Sequence, residues 1–240
     1  MQRYFGQLGE QETVILADDD IFHLTKVMRA RNNQHLEVVI DGMAYDVVIE
    51  RLQPLVLKRL GTLDKSTELP NNITLYYGMP KGEKLDMVIQ KATELGVSKI
   101  VLLMSKRSIV RIEEKDKSRK LERYQKIAKE ASEQSKRTVV PIIEAMGEFD
   151  LIKQAQGAFR FIADEEVAGV TSMLSAMISS IKPEHSIDIL IGPEGGFDRS
   201  EVTLAQAHGF VPVSLGKRIL RSETAVLYFM SILSYSLERK

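Results

Sequence analysis

IDILIGPEGGF, residues 187–197, is the stretch that decides the fold class. Its first five residues, Ile187–Ile191, are apolar apart from Asp188 and rich in β-branched side chains. A run that is apolar on both sides reads as a strand buried on both faces, as in a parallel sheet. It passes directly into the turn Gly192-Pro193-Glu194-Gly195-Gly196. Asp198 and Glu201 then have the spacing of a capping box, so a helix is predicted from there to His208, with Gly209 after it. Ligands of open α/β sheets bind beyond the carboxyl ends of the strands. The three glycines of this turn let the backbone approach a ligand closely, and Pro193 stiffens it. The alternative is a tight strand-to-helix turn with no ligand. The G-x-G-x-x-G and G-x-x-x-x-G-K-[ST] patterns of the common phosphate cradles are both absent.

Toward the C-terminus a second strand end meets a loop and a helix start. Val211–Leu215 reads as a strand, LGKRILRSETA (Leu215–Ala225) follows, and Ser222 is expected to cap a last helix, Glu223–Leu237. Lys217, Arg218 and Arg221, beside the positive end of that helix, suit an anion. The plainer reading is that Arg221 pairs with Glu223 or Glu194.

Toward the N-terminus, strands and helices alternate back to Ile73. Helices are predicted over Gly82–Leu95 (stopped by Gly96), Asp116–Lys136 and Thr171–Ile181. Strands are predicted over ITLYYGM from Ile73, KIVLLMS from Lys99, and residues 158–163. This alternation implies a largely parallel sheet covered on both faces. Within it, Leu85, Val88, Ile89, Ala92 and Leu95 form a core stripe, and Lys81-Gly82 is the part of that helix able to touch a ligand.

Lys65–Asn72 (KSTELPNN) reads as a linker. Before it the rhythm is β: strands at Thr13–Leu16, His35–Ile40, Ala44–Leu52 and Val56–Leu63, with a hairpin signal at Asp41-Gly42. One helix is predicted there, Ile21–Ala30, with Asp18–Asp20 as candidate caps. A small barrel or open sheet fits this pattern.

An apolar fraction of 44% fits a globular chain, and no apolar run is long enough to span a membrane. The start lacks a signal-peptide layout, and the absence of cysteine excludes disulfides and thiolate chemistry. A cytoplasmic protein is expected. The four histidines are scattered without ligand spacing, so no metal is expected. Net charge is zero, but Lys106–Arg137 holds twelve Lys/Arg against six Asp/Glu. That stretch is either a footprint for phosphate or a solvated helix face with i,i+4 ion pairs. EQSKR (Glu133–Arg137) at its end offers donors for phosphate and base edges.

Taken in order, these segments resemble the RsmE family of 16S ribosomal RNA uridine-N3 methyltransferases, in the SPOUT superfamily. The likeness spans nearly the whole chain: Arg3-Tyr4-Phe5, HLTKVMR (His23–Arg29), QKATELGV (Gln90–Val97), KRSIV (Lys106–Val110), EQSKR, IGPEGGF and LGKRILRSETA. IGPEGGF followed by LGxRILRxETA is a highly specific pair. Lys136 departs from the pattern, which expects a small residue there, and Asn32-Asn33-Gln34 is poorer in glycine than expected. The resemblance implies an N-terminal PUA-like β-barrel over 1–68 that binds RNA. It implies a SPOUT α/β methyltransferase domain over 73–240 ending in a deep trefoil knot, and a homodimer acting on the small ribosomal subunit. It implies that S-adenosylmethionine is held by Ile191, Gly192, Pro193, Glu194, Gly195 and Gly196 from one loop. Leu215, Gly216, Ile219, Leu220, Arg221, Thr224 and Ala225 would hold it from the other. Arg221 is expected to stabilise charge on the uracil, and Glu194 to act as a base or an orienting partner. Arg3, Arg29, Lys106, Arg107, Lys120, Arg123 and Arg137 are the candidate RNA contacts. Three rivals stay open: a sugar-phosphate-binding α/β enzyme, a non-catalytic RNA-binding factor, and a SPOUT enzyme with another target such as a ribose 2′-oxygen.

Overall fold

Period-2 patterning governs the first 62 residues and closes them into a barrel. The computed structural model describes all residues except 64–65, 83, 109–112, 168–170 and 240, and all their side chains except those of 145, 146, 171 and 172. Its strands are β1 (Arg3–Leu8), β2 (Thr13–Leu16), β3 (His35–Ile40), β4 (Met43–Leu52) and β5 (Leu55–Thr62), with a short helix α1 (Asp18–Phe22). They pair in the order β1-β2-β5-β4-β3, and β1 lies parallel to β3 to close the ring. Alternate residues point inward, so Tyr4, Leu36, Val38, Val47, Ile49 and Leu57 fill the interior. Asp41 (φ 50°) and Gly42 (φ 79°) form the two-residue turn between β3 and β4, as their sequence predicts.

The strand β1 is not anticipated by the sequence pattern. The helix expected over Ile21–Ala30 is displaced and shorter. It starts at Asp18 with Ala17 as its N-cap, so the aspartates sit in the first turn rather than before it. There their charge faces the positive end of the helix. The coil then widens over His23–Val27, where the Met28 N–H bonds back five residues to the His23 carbonyl, 2.9 Å.

Close contacts divide the described chain into two units, and the first comprises Met1–Glu68 together with Ser132–Val139. The expected second domain, 73–240, would have held that second piece. Glu68 explains why it groups with the barrel. Its carboxylate accepts from the Arg137 guanidinium (2.6 and 3.0 Å) and from the N–H groups of Thr138 (2.7 Å) and Val139 (3.2 Å). Glu37 likewise accepts from Arg3 and Lys136, each at 3.0 Å. Lys136, where the family resemblance expects a small residue, takes a left-handed conformation (φ 64°).

The second unit, Leu69–Ala131 with Val140–Lys240, is built on a six-stranded parallel sheet. In chain order it contains β6 (Ile73–Gly78), α2 (Lys84–Glu94), β7 (Lys99–Met104), α3 (Glu114–Gln134, whose last residues belong to the first unit), β8 (Ile142–Glu148) and β9 (Phe159–Ala163). Next come α4 (Thr171–Ser180), β10 (Ile187–Ile191), α5 (Arg199–Ala207), β11 (Val211–Val213) and α6 (Ser222–Leu237). Spatial order is β11-β9-β10-β6-β7-β8, with every neighbouring pair parallel. All five residues of β10 are buried. Ile187, Ile189 and Ile191 pack into the core that includes residues of α2, α4 and α6, whereas Leu190 packs with Val202 and Ala205 of α5 on the other face. This is the two-sided burial that IDILI predicts.

β8 is likewise unanticipated, because Pro141 precedes it and Gly147 interrupts it. Both are tolerated on an edge strand, which β8 is. Gly96 ends α2 in the left-handed conformation as expected (φ 90°). No helix among the described residues is long and apolar enough to cross a membrane.

Candidate active site

The sheet order places the carboxyl ends of β9, β10 and β11 around one cavity of about 480 Å³. Chain direction forces this: all strands point the same way, so every loop leaving a strand tip is on one edge. The loop after β10 and the loop after β11 are far apart in sequence and line opposite walls. Ile191 to Phe197 forms one side, and Ser214 to Leu220 with Ser222 and Ala225 forms the other. The volume lies within the range of small-molecule and cofactor sites.

Close packing holds the first loop against its neighbours. A side chain at Gly78, the last residue of β6, would collide with the ring and nitrogen of Pro193. Gly196 (φ 65°) and Gly216 (φ 121°) take backbone conformations that side chains resist, and a Cβ at either would meet no protein atom within 4 Å. Both loops therefore present bare backbone to open space. Asp198 and Glu201 form the predicted capping box that starts α5.

Ser222 does not cap α6. Arg221 occupies the N-cap position, and Ser222 is the first helical residue. The Ser222 hydroxyl instead meets the Gly192 carbonyl and the Tyr77 hydroxyl (3.0 Å). That network ties the start of α6 to the β10 loop and to the end of β6. Burial pushes the Tyr77 hydroxyl well above its ordinary value, so it stays a neutral donor and acceptor.

Glu194 stands exposed on the loop, but its carboxylate is engaged. It accepts from the Lys81 N–H (3.1 and 3.3 Å) and from the Lys84 ammonium (3.2 Å). Burial pushes the carboxyl up, yet hydrogen bonds from its own N–H, from Lys84 and from the Lys81 N–H outweigh this and hold it below the usual carboxylate range. Lys84 also lies 3.5 Å from Glu223, whose Oε2 is buried without a hydrogen bond among the described residues. The pairing expected for Arg221 thus belongs to Lys84. Among the described residues the Arg221 side chain makes no hydrogen bond or ion pair.

Of the residues expected to hold a cofactor, Arg221 and Thr224 do not line the cavity, and the other eleven do. The expected RNA contacts scatter. Arg107 lines the cavity and donates to the Gly195 carbonyl (3.0 Å), while the exposed Lys106 ammonium meets the Ser200 hydroxyl at 2.7 Å. Arg123 pairs with Asp86 and lies over the Tyr124 ring, with Lys120 one turn before it on α3. Arg29 is exposed at the end of the widened coil, in a left-handed conformation (φ 51°). Arg3 and Arg137 are buried, at 4% and 3% exposure, and are consumed by Glu37 and Glu68. Ile109 and Val110 of the KRSIV segment lie outside the described residues.

Four charged wall residues were not anticipated from the sequence: Asp164, Glu165, Glu166 and Arg199. Asp164 follows directly on β9, and the strand-end rule could have found it. Its carboxylate takes both arms of Arg199, each at 2.9 Å. Burial raises that carboxyl, but Arg199 and the Glu166 N–H more than offset this and lower it.

A family model for the RNA methyltransferase domain matches residues 67–234. The ribosomal RNA small subunit methyltransferase E of Bacillus subtilis is 35% identical, with 99% of this chain and 98% of that one aligned. A crystal structure of the ribosomal RNA small subunit methyltransferase E from Neisseria gonorrhoeae, bound to S-adenosyl methionine, is 30% identical. It superposes with a TM-score of 0.83 over 98% of this chain and 97% of that one. A putative methyltransferase from Legionella pneumophila, in complex with bound cofactor SAM, is 28% identical with a TM-score of 0.87, over 98% of each chain.

Proposed function

We propose that this chain, which belongs to the ribosomal RNA small subunit methyltransferase E family, methylates N3 of a uridine in 16S ribosomal RNA with S-adenosylmethionine as donor. The observation that carries this reading is the cavity that the two glycine-bearing loops after β10 and β11 line together. The residues fit the cofactor: the volume is ample, and the backbone at Gly196 and Gly216 is uncovered where a Cβ would otherwise stand. Ile191 to Gly196 and Leu215, Gly216, Ile219, Leu220 and Ala225 would hold it, chiefly through backbone. S-adenosylmethionine supplies an electrophilic methyl group on a cationic sulfur.

The protein's own work is positioning and charge stabilisation. Loss of the N3 proton to water leaves negative charge spread over N3, O2 and O4 of the base, and formation of the N3–methyl bond discharges it. Arg221, permanently cationic and without a hydrogen bond or ion pair among the described residues, is the proposed group to meet that charge; it stands at the start of α6, next to Leu220 and Ser222 of the cavity wall. Glu194 suits an orienting role better than that of a base. Its lowered pKa makes it a poor proton acceptor, and its bonds to Lys81 and Lys84 hold the β10 loop in place. Lys106, Arg107, Lys120, Arg123 and Arg29 are proposed to attract RNA phosphate, whereas the buried Arg3 and Arg137 are engaged by Glu37 and Glu68 within the first unit. We assign the barrel, residues 1–68, to RNA docking and residues 73–240 to methyl transfer, with a cytoplasmic homodimer as the working form. A groove of about 370 Å³ between α4 and α6, lined by Leu174, Ile178, Tyr228 and Ile232 among others, supports coverage by a second copy.

Calorimetry with S-adenosylmethionine tests the cavity, and methylation of purified small subunits followed by mass spectrometry of the RNA tests the target. Gly216→Val, which strains a φ of 121° and fills the loop's open side, should abolish cofactor binding while leaving the barrel folded. Unchanged affinity in that variant would sink the assignment of the loop. Modification of a ribose instead of a base would replace the target.

A further inference from the structure

Ile219 is the most exposed large apolar side chain among the described residues, 83% accessible, and it stands at the rim of the cavity. It is flanked by Lys217, Arg218 and Arg221, all exposed. Among the described residues none of these three side chains makes a hydrogen bond or ion pair. Exposed Arg123 and Arg199 are by contrast engaged, with Asp86 and Asp164, whereas Arg29 and Arg51, exposed and without a side-chain partner among the described residues, do not line the cavity. The β11 loop thus combines unspent positive charge with an uncovered isoleucine at the place where substrate must enter.

We infer that the Ile219 side chain is a platform for the target base, packing on the face of an unpaired uracil turned toward the cavity, while Lys217 and Arg218 hold the adjoining phosphates. The inference rests on the proposed N3 methylation. N3 lies on the pairing edge of uracil, so the base must be unpaired, and taken out of its stack, before that atom is reachable. A turned-out base loses its stacking neighbours, and apolar side chains are the usual substitute at such steps. The pairing edge must stay open to the methyl donor, which leaves the ring face for Ile219. Lys217 and Arg218 match the charge that flanks any nucleotide. Ile219 also lines the cofactor cavity; in the inferred arrangement its backbone borders the cofactor and its side chain the base.

The test uses the full-length protein, purified small ribosomal subunits, and Ile219→Ala beside Ile219→Leu. Ile219→Ala should lower kcat/KM for RNA roughly 10- to 200-fold, the range expected when a substrate site loses part of its apolar packing. Calorimetric affinity for S-adenosylmethionine should stay within about twofold, and Ile219→Leu should restore most of the activity. Three results would overturn the inference. One is a loss of cofactor affinity as large as the loss of activity, which would put the side chain on the cofactor. Another is a change of sedimentation coefficient in Ile219→Ala, which would make Ile219 a contact between copies. The third is unchanged kcat/KM. If the unsubstituted protein methylates neither subunits nor free RNA, it is the proposed function that fails, whatever Ile219 does.

Discussion

Arg137 and Arg221 each stand in a short basic motif, EQSKR and LGKRILRSETA, and the fold treats them in opposite ways. Arg137 is buried in the barrel unit, and the Glu68 carboxylate accepts from its guanidinium there. Arg221 is exposed at the start of α6, and its expected partners, Glu194 and Glu223, are held by Lys84 instead. A buried charge needs a partner, because desolvation without one costs several kcal/mol. An exposed charge needs none and can wait for a ligand. Basic composition therefore does not mark an RNA contact. What argues against one is burial against a carboxylate, as at Arg137 with Glu68.

The largest effect is expected at Arg221. Arg221→Ala should slow methyl transfer by about 10²- to 10³-fold, as removal of a charge-stabilising donor does. Affinity for S-adenosylmethionine should stay within roughly tenfold. Near-normal single-turnover rates would remove Arg221 from the reaction. Arg137→Ala should do the reverse, destabilising the barrel by about 3 kcal/mol because Glu68 is left without its buried partner. Denaturant unfolding measures this. Weakened RNA binding at unchanged stability would mean that Arg137 faces the RNA after all.

A smaller effect separates the cations of the cavity mouth from those of the core. Lys217→Ala with Arg218→Ala should leave stability within about 0.5 kcal/mol. The double variant should lower the slope of log affinity for RNA against log salt by roughly 0.7 for each phosphate that is no longer neutralised. An unchanged slope would place these residues away from phosphate. The smallest effect is spectroscopic and compares the two cores. Burial, with the carboxylates Glu133 and Asp20, pushes Tyr4 in the barrel up to about 12; burial, with Asp188 and Glu144, does the same for Tyr76 in the sheet. Both hydroxyls ionise near 10 when unfolded. The folded protein thus holds more protons above pH 10, and its stability should fall from there toward pH 12. Absorbance titration of Tyr4→Phe and Tyr76→Phe should each remove one late-titrating tyrosine. A normal titration of either would show that its pocket admits water.

Much of this was legible in the chain. IDILI announced its two-sided burial through composition, and Asp198 with Glu201 announced the start of α5 through local hydrogen bonding. Asp41-Gly42 marked its turn because two left-handed residues in succession suit few other pairs. Elements whose signals were overridden by position were missed: β8 is a strand because an edge tolerates Pro141 and Gly147, and β1 because the barrel needs a closing partner. Ser222 looked like a cap, yet it spends its hydroxyl on Gly192 and Tyr77, residues no local rule connects to it.

The order of amino acids was enough to set the alternation of elements, the two glycine-bearing loops, and the family to which their residues belong. These follow from periodicity, capping and turn chemistry, all of which act between near neighbours in the chain. Which cations are consumed and which are free, and that Lys84 rather than Arg221 serves Glu194, emerged with folding alone. Pairing depends on distances between strands and helices far apart in sequence, and burial sets the cost of leaving a charge alone; neither is defined until the chain has folded.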